Sequence, residues 1–392
     1  MAWKERTVEQ MREDFAKRVL AHEKSKSALC REYGISRPTG DKWLERYQNG
    51  EAMSDRSRAP NRRPGRISPE METLIVERRK ANPAIGAVKQ HRMLQDEGYT
   101  DLPCVKTFNN VFRRHGLIEK EASRAATPCQ RFEKDAPNEM WQGDFKGYFR
   151  LGDGTQCHPL NIVDDHSRFN LSTEALPNET FAAVKPVMER IFSEYGMPYS
   201  FLCDNGNPWG TSQSLGYSRF EVWLMELGIL TLHGRGHHPQ TQGKEERYNR
   251  SFTRECLKGK KFSDLAHAQR CFDDYRRFYN EVRPHFALDL DVPSARYEKS
   301  RRRYPDKIED WEYGPGYQLC RVKGNGYFNF GGQGFFLSEA FAGKTIAVRE
   351  SQLPGQITLI FRQFRIGRID LEKRVYTLKR ACLLENDPRQ NV

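Results

Sequence analysis

The sequence predicts a multidomain chain: an α-helical N-terminal third, an α/β core with a mixed five-stranded sheet, and a C-terminal small β-barrel. Three observations predict it. Up to about residue 116 the apolar residues recur at helical spacing between Ser starts and Gly stops. From 138 to 300, alternating runs are interleaved with helical ones. Beyond Gly314, short β-type runs are punctuated by Gly, Pro and charged turns.

The chain has 392 residues, room for two to four domains, and its 37% hydrophobic and 30% charged content is that of a globular protein. It contains no run of eighteen apolar residues, and Met1-Ala2-Trp3-Lys4-Glu5-Arg6 lacks the apolar stretch of a signal peptide, so a cytoplasmic protein without membrane contact is expected. Nine cysteines with no C-x-x-C pair read as reduced thiols, and no zinc site is expected. The net charge is +12, and residues 1–120 hold 25 Lys and Arg against 17 Asp and Glu. An excess of +8 in the first third points to a polyanionic partner, with nucleic acid foremost.

Val8, Met11, Phe15, Val19 and Leu20 mark a first amphipathic helix. The run from Ser27 to Tyr47 reads as helix, turn at Gly34, N-cap at Ser36 and a second helix that buries Trp43, Leu44 and Tyr47. This is a helix-turn-helix pattern over 1–52, in which Arg37, Thr39, Lys42 and Arg46 can face a major groove. Residues 53–67 form a linker with five arginines, Arg56, Arg58, Arg62, Arg63 and Arg66, suited to phosphates or a narrow minor groove. A second helix-turn-helix occupies 68–120. Its helices start at Ser68-Pro69, near 86 and near 105, with Lys106, Thr107, Asn109, Asn110 and Arg113 on the exposed side.

After a linker over 121–137, the core over 138–300 reads as strands at 141–150, 159–163 and 168–173, a helix over 179–195, a strand at 200–203 and further helices. A basic linker at 301–314 leads to six predicted strands over 315–392.

The chemistry-bearing residues lie in the core. Asp144 sits in a strand between aromatic neighbours, and Asp204 directly follows the apolar run Phe201-Leu202-Cys203. In the segment His237 to Arg254, a Pro-Gln-Thr-Gly loop turns into a helix that carries Glu245 and Glu246. Acids at strand ends and on an adjoining helix are what metal-assisted phosphodiester chemistry requires, because hard carboxylates hold Mg²⁺ and leave positions for water and phosphate. At about 100° per residue, Tyr248, Phe252 and Cys256 form one stripe that Glu245 joins, while Glu246 lines up with Asn249, Arg250 and Thr253. If the stripe is core, Glu246 is the acid that faces metal and DNA; the stripe also admits the opposite reading. Lys244, Asn249, Arg250 and Arg254 are candidate contacts to the DNA backbone. Asp164 and Asp165 read as a supporting turn, His237 and His238 as a positioning element.

Five ordered motifs carry a resemblance: Trp141-Gln142-Gly143-Asp144, Asp164-Asp165-His166-Ser167-Arg168, Cys203-Asp204-Asn205-Gly206, His238-Pro239-Gln240-Thr241-Gln242-Gly243-Lys244-Glu245-Glu246-Arg247 and Tyr279-Asn280-Glu281-Val282-Arg283-Pro284-His285. Together they resemble the integrase-core DDE transposases of bacterial insertion sequences, in the retroviral-integrase superfamily. That resemblance implies a ribonuclease H-like catalytic core with Asp144, Asp204 and Glu246 as catalytic acids and ligands of two Mg²⁺ ions, Mn²⁺ being a substitute. It implies cutting of double-stranded DNA at the element's terminal inverted repeats, followed by joining of the 3′-hydroxyl ends to target DNA. It also implies a homodimer or larger assembly on DNA, open to an accessory protein, near the nucleoid. The chain departs from the usual pattern in its longer spacing between Asp204 and Glu246, where residues 209–217 suggest an enlarged active-site loop. Two other readings are a catalytically silent DNA-binding regulator and a nuclease that cuts without joining.

Overall fold

The computed structural model describes residues 7–56, 67–118, 133–210, 216–234, 243–378 and 381–384. Residues Met1–Ile67 and Ser68–Val392 form two separate compact units.

In the first unit, α1 (Val8–Leu20) begins with a capping box between Thr7 and Gln10, α2 (Lys26–Glu32) with Ser25, and α3 (Arg37–Gln48) with Ser36 and a proline in its first turn. Phe15, Leu29, Cys30 and Trp43 are buried between them. Gly40 is required by packing, since a Cβ there would stand 2.6 Å from the Cys30 sulfur.

The second unit starts with α4 (Pro69–Ala81), α5 (Ala87–Asp96) and α6 (Val105–Arg114), close to the bounds read from the sequence. Ile75, Met93, Leu94, Phe108, Val111 and Phe112 make their core, and Leu74, Val88 and Val105 are half-buried.

The α/β core is a sheet in the order β4-β3-β1-β5-β6, built from β1 (Met140–Phe145), β3 (Gln156–Asp164), β4 (Asn170–Leu176), β5 (Ser200–Cys203) and β6 (Leu230–His233). The two-residue β2 (Phe149–Arg150) continues the pairing along β3 beyond the end of β1. The β1, β3 and β4 pairings are antiparallel and β1–β5–β6 parallel, so the sheet is mixed and its body five-stranded, as expected. Trp141, Leu160, Ile162 and Phe201 pack on one face against α7 (Phe181–Tyr195) and α8 (Arg219–Glu226). Cys157 and Val163 cluster instead with α9 (Gly243–Phe252) and α10 (Leu265–Glu281). Successive strand residues alternate between faces. Trp141 therefore goes to the α7 side, and Gln142 and Asp144 to the α9 side. Gly143 admits the ring of Phe201, since a Cβ there would stand 2.3 Å from it.

The C-terminal segment is all β, but its main sheet does not close. Its order is β13-β12-β11-β10-β7, with β14 beside β12, and β8–β9 forms a separate hairpin. These are β7 (Gln318–Arg321), β8 (Tyr327–Phe330), β9 (Gln333–Phe336), β10 (Thr345–Glu350), β11 (Gln356–Phe361), β12 (Phe364–Asp370), β13 (Val375–Leu378) and β14 (Cys382–Leu383). The expected barrel is thus corrected to an open sheet. A barrel would bury its apolar face by curling on itself. Here that face is covered by Phe328 and Phe335 of the hairpin and by Tyr217, Val222 and Met225 at α8. The Tyr217 hydroxyl donates to the Ile366 carbonyl at 2.6 Å, and the Ser338 hydroxyl to the Tyr217 carbonyl at 2.8 Å.

Candidate active site

Asp144 directly follows the buried part of β1, and Asp204 follows the last residue of β5, two strands that run parallel side by side. Burial first, and then the charge of Asp204, push the Asp144 carboxyl up to about 6. The two aspartates are therefore electrostatically coupled. The Asn249 amide of α9 donates to Asp144 Oδ2 at 3.0 Å, and the amide of Asn161, the cross-strand neighbour of Asp144, donates to Asn249 Oδ1 at 2.7 Å. Asp204 Oδ1 accepts the Gly206 N–H at 2.8 Å, which shapes the turn after β5. Its carbonyl lies 2.8 Å from His233 Nδ1, whose other nitrogen is 3.0 Å from Glu221 Oε1. Burial opposes charge on His233, but the Glu221 carboxylate and the Asp204 carbonyl outweigh it and raise the imidazole above its ordinary value.

Helical phase puts the two glutamates of α9 on different sides of the helix, and the structure does the same. Glu245 is 2% exposed, and among the described residues neither carboxylate oxygen has a hydrogen-bond partner. Burial, then the charges of Asp144 and Asp204, push its carboxyl well above the usual range. The side chain of Glu246 is 64% exposed and pairs with Arg250 at 3.0 Å. As the phase predicts, the stripe Tyr248-Phe252-Cys256 is core, Glu245 is buried at its N-terminal end and Glu246 lies on the exposed face; what the phase does not show is that the buried side of α9 also meets Asp144. The stripe packs on Val163 and α10, and one turn earlier the same side of α9 meets the polar end of β1. Both glutamates line one cleft with Asp144, Lys146, Asn249, Arg250, Thr253 and Arg254.

Several candidate DNA contacts are engaged elsewhere. Lys244 is paired with buried Asp165 at 2.5 Å, and Asn249 is 8% exposed and spent on Asp144 and Asn161. Arg46 is 7% exposed, donates to the Ser54 carbonyl at 3.0 Å and lies over the Trp43 ring, so it is a structural residue. Thr39 and Thr107 are half-buried beside Ser36 and Cys104, in the first turns of their helices. Arg37, Lys42, Lys106, Asn109, Asn110, Arg113, Arg250 and Arg254 are exposed, with Arg113 donating to Asn110 at 3.0 Å. Arg56 is exposed and paired with Glu51. Arg58, Arg62, Arg63, Arg66, His237 and His238 lie outside the described residues. The supposed enlarged loop is anchored at both ends. Trp209 is 1% exposed among Phe145, Phe201 and Phe220, and Tyr217 belongs to the C-terminal sheet's core.

Sequence reasoning missed the supports: Asn161, Glu221, His233 and the role of Asp165. Of these only Asp165, inside a quoted motif, carried a signal.

Among the described residues no three Asp, Glu, His or Cys side chains converge closely enough to hold an ion as they stand. The donor set nevertheless fits Mg²⁺ in kind. It is all carboxylate, and a fully buried glutamate with two unpartnered oxygens beside two aspartates is a group in want of a cation.

Compared with known proteins, residues 134–239 and 227–293 match families described as Integrase core domain, residues 318–377 the IS481 family transposase C-terminal domain, and residues 16–73 a Winged helix-turn helix. The chain belongs to the integrase-core transposases of bacterial insertion sequences. Relatives of this transposase include an uncharacterized 31.7 kDa protein of insertion element IS407 from Burkholderia multivorans, 27% identical over 60% of the chain and 82% of that protein. An IS476 protein of Xanthomonas euvesicatoria is 25% identical over 59% of the chain, which spans 65% of that relative's length. The putative transposase for IS5376 of Geobacillus stearothermophilus is 22% identical over 89% of the chain and 84% of its own length. Among solved structures, the HTLV-2 integrase catalytic core domain in complex with magnesium covers 41% of the chain and 97% of its own, at 15% identity and a TM-score of 0.31. No helix among the described residues is long and apolar enough to cross a membrane.

Proposed function

We propose that this transposase cuts DNA at the ends of its element and joins the freed 3′-hydroxyls to target DNA, with Asp144, Asp204 and Glu246 as the acids that hold Mg²⁺. The observation that carries the reading is the position of Asp144 and Asp204 at the C-terminal ends of adjacent parallel strands, beside a cleft that Asp144 and the α9 glutamates line. Bound Mg²⁺ supplies activation of the attacking hydroxyl or water and stabilisation of the leaving oxygen. The chain's own contribution is positional. Asn249 holds the Asp144 carboxylate, Gly206 and His233 hold Asp204, and Lys146, Arg250 and Arg254 give the cleft a cationic wall for the phosphate backbone. Exposed residues of α3 and α6 read DNA at the element ends, and joining two ends implies at least two copies of the chain.

A second reading of the third acid rests on one observation. Glu245 is the buried glutamate, with both oxygens unpartnered beside the two aspartates, whereas motif spacing selects Glu246. The test of the function is incubation of the protein with Mg²⁺ and labelled element-end DNA, with Asp204→Ala as control. Cut and joined strands from the wild type alone support the proposal. Cutting without joining supports the nuclease reading, and binding without products supports the silent regulator.

A further inference from the structure

We propose that Asp165 is a positioning residue that fixes the first turn of α9 against β1 and so sets the spacing of the catalytic acids. The proposal rests on the function above. Asp165 is 2% exposed, in the turn that follows β3. Its Oδ1 accepts from the Gln142 amide at 2.5 Å, and its Oδ2 accepts from the Lys134 N–H at 2.8 Å and from Lys244 Nζ at 2.5 Å. Lys244 also reaches the Asp165 carbonyl at 3.3 Å.

What these partners belong to gives the arrangement its meaning. Gln142 lies on β1 two residues before Asp144, so the two side chains share a face of the strand. Lys244 immediately precedes Glu245 and Glu246. Lys134 belongs to the segment that leads into β1. One buried carboxylate thus ties together the strand and the helix that carry the acids.

Turn closure does not need it. Asp164 already accepts the Ser167 N–H at 2.8 Å, the Ser167 hydroxyl at 2.6 Å and the Asn138 N–H at 2.8 Å. Asp164 holds the turn, and Asp165 is free to hold its neighbours. A buried charge pair is an expensive way to gain stability, since apolar residues would do as well, but it enforces one register between the elements it joins. Register matters where carboxylates must meet ions to within a few tenths of an ångström.

Asp165→Asn keeps the shape and removes the charge that holds Lys244; Lys244→Met removes the other partner. Strand-cutting assays over a Mg²⁺ series, with Mn²⁺ binding followed by electron paramagnetic resonance, read the effect. Both variants are expected to lose about 10–100-fold in kcat, as supporting residues of metal sites do, with KM for DNA within about threefold. Both are expected to bind Mn²⁺ at least about fivefold more weakly, and Lys244→Arg is expected to restore most of the loss. Normal kcat and Mn²⁺ affinity in both variants, even with a lowered Tm, would overturn the proposal. A wild type that binds Mn²⁺ but cuts nothing would sink the proposed function, while the Mn²⁺ affinities still decide the role of Asp165. A wild type that neither cuts nor binds overturns both.

Discussion

Helices α6 and α9 carry similar polar surfaces, and the fold uses them in opposite ways. On α6, Lys106, Asn109, Asn110 and Arg113 stand in solvent above a buried Phe108-Val111-Phe112 stripe, the arrangement of a helix that reads an outside partner. On α9, Lys244 and Asn249 are drawn inward to Asp165 and Asp144, and Glu246, Arg247 and Arg250 are left exposed. What separates them is the neighbour. The stripe of α6 packs among apolar residues, His91 and the Arg79 guanidinium, whereas α9 meets the carboxylates of Asp144 and Asp165. A polar residue on an amphipathic helix is a ligand contact in one setting and a brace in the other.

Substitutions can break this contrast. Asn249→Ala strips Asp144 of its amide and leaves Asn161 unpartnered. Strand cutting should fall about 10–100-fold in kcat while DNA affinity changes little, because the loss falls on the metal-holding side. Arg113→Ala should do the reverse. Affinity for element-end DNA should drop by about 1–2 kcal/mol and the salt dependence should flatten, while cutting at saturating DNA is kept. An Asn249 variant that cut normally but bound poorly would make α9 a second reading helix.

A smaller effect concerns Asp144 itself. Its folded carboxyl holds a proton up to about pH 6, above its ordinary value, so the folded metal-free chain binds protons more tightly than the unfolded one. Its contribution to stability is therefore present at low pH and is lost as pH rises through about 6. Asp144→Asn removes that loss. Thermal unfolding of the metal-free variant at pH 8 should occur about 2–6 °C above wild type, with a smaller gain at pH 5. An unchanged or lowered Tm at pH 8 would mean that Asp144 is not under strain.

The helix boundaries were legible because their caps are local chemistry: Ser36, Ser68 with Pro69, and the glycines Gly34, Gly98 and Gly116 after α2, α5 and α6. Strand β5 and the C-terminal strands β7 to β12 were legible from apolar runs and turns, whereas β13 and β14 were not. Closure of the C-terminal sheet was not, since six short strands suit a barrel or an open sheet alike, and what decided it was Tyr217, Val222 and Met225, far away in sequence. Asp144 and Asp204 were legible as strand-end acids. The sides taken by Glu245 and Glu246 were legible from helical phase, but that the buried side of α9 also meets Asp144 was not. The engagements of Arg46 and Lys244 were hidden for the same reason: charge in a sequence does not reveal whether a carbonyl or a buried acid waits within reach.

The proposed cutting site joins two strand-held aspartates and the motif glutamate Glu246 around Mg²⁺. It is tested most directly by the rate of Mg²⁺-dependent strand cutting by Glu246→Gln and Glu245→Gln, measured side by side on labelled element-end DNA. A loss of about a thousandfold or more is expected for Glu246→Gln, with Glu245→Gln keeping most of the wild-type rate. Normal cutting by Glu246→Gln with none by Glu245→Gln would contradict it and make the buried glutamate the third acid.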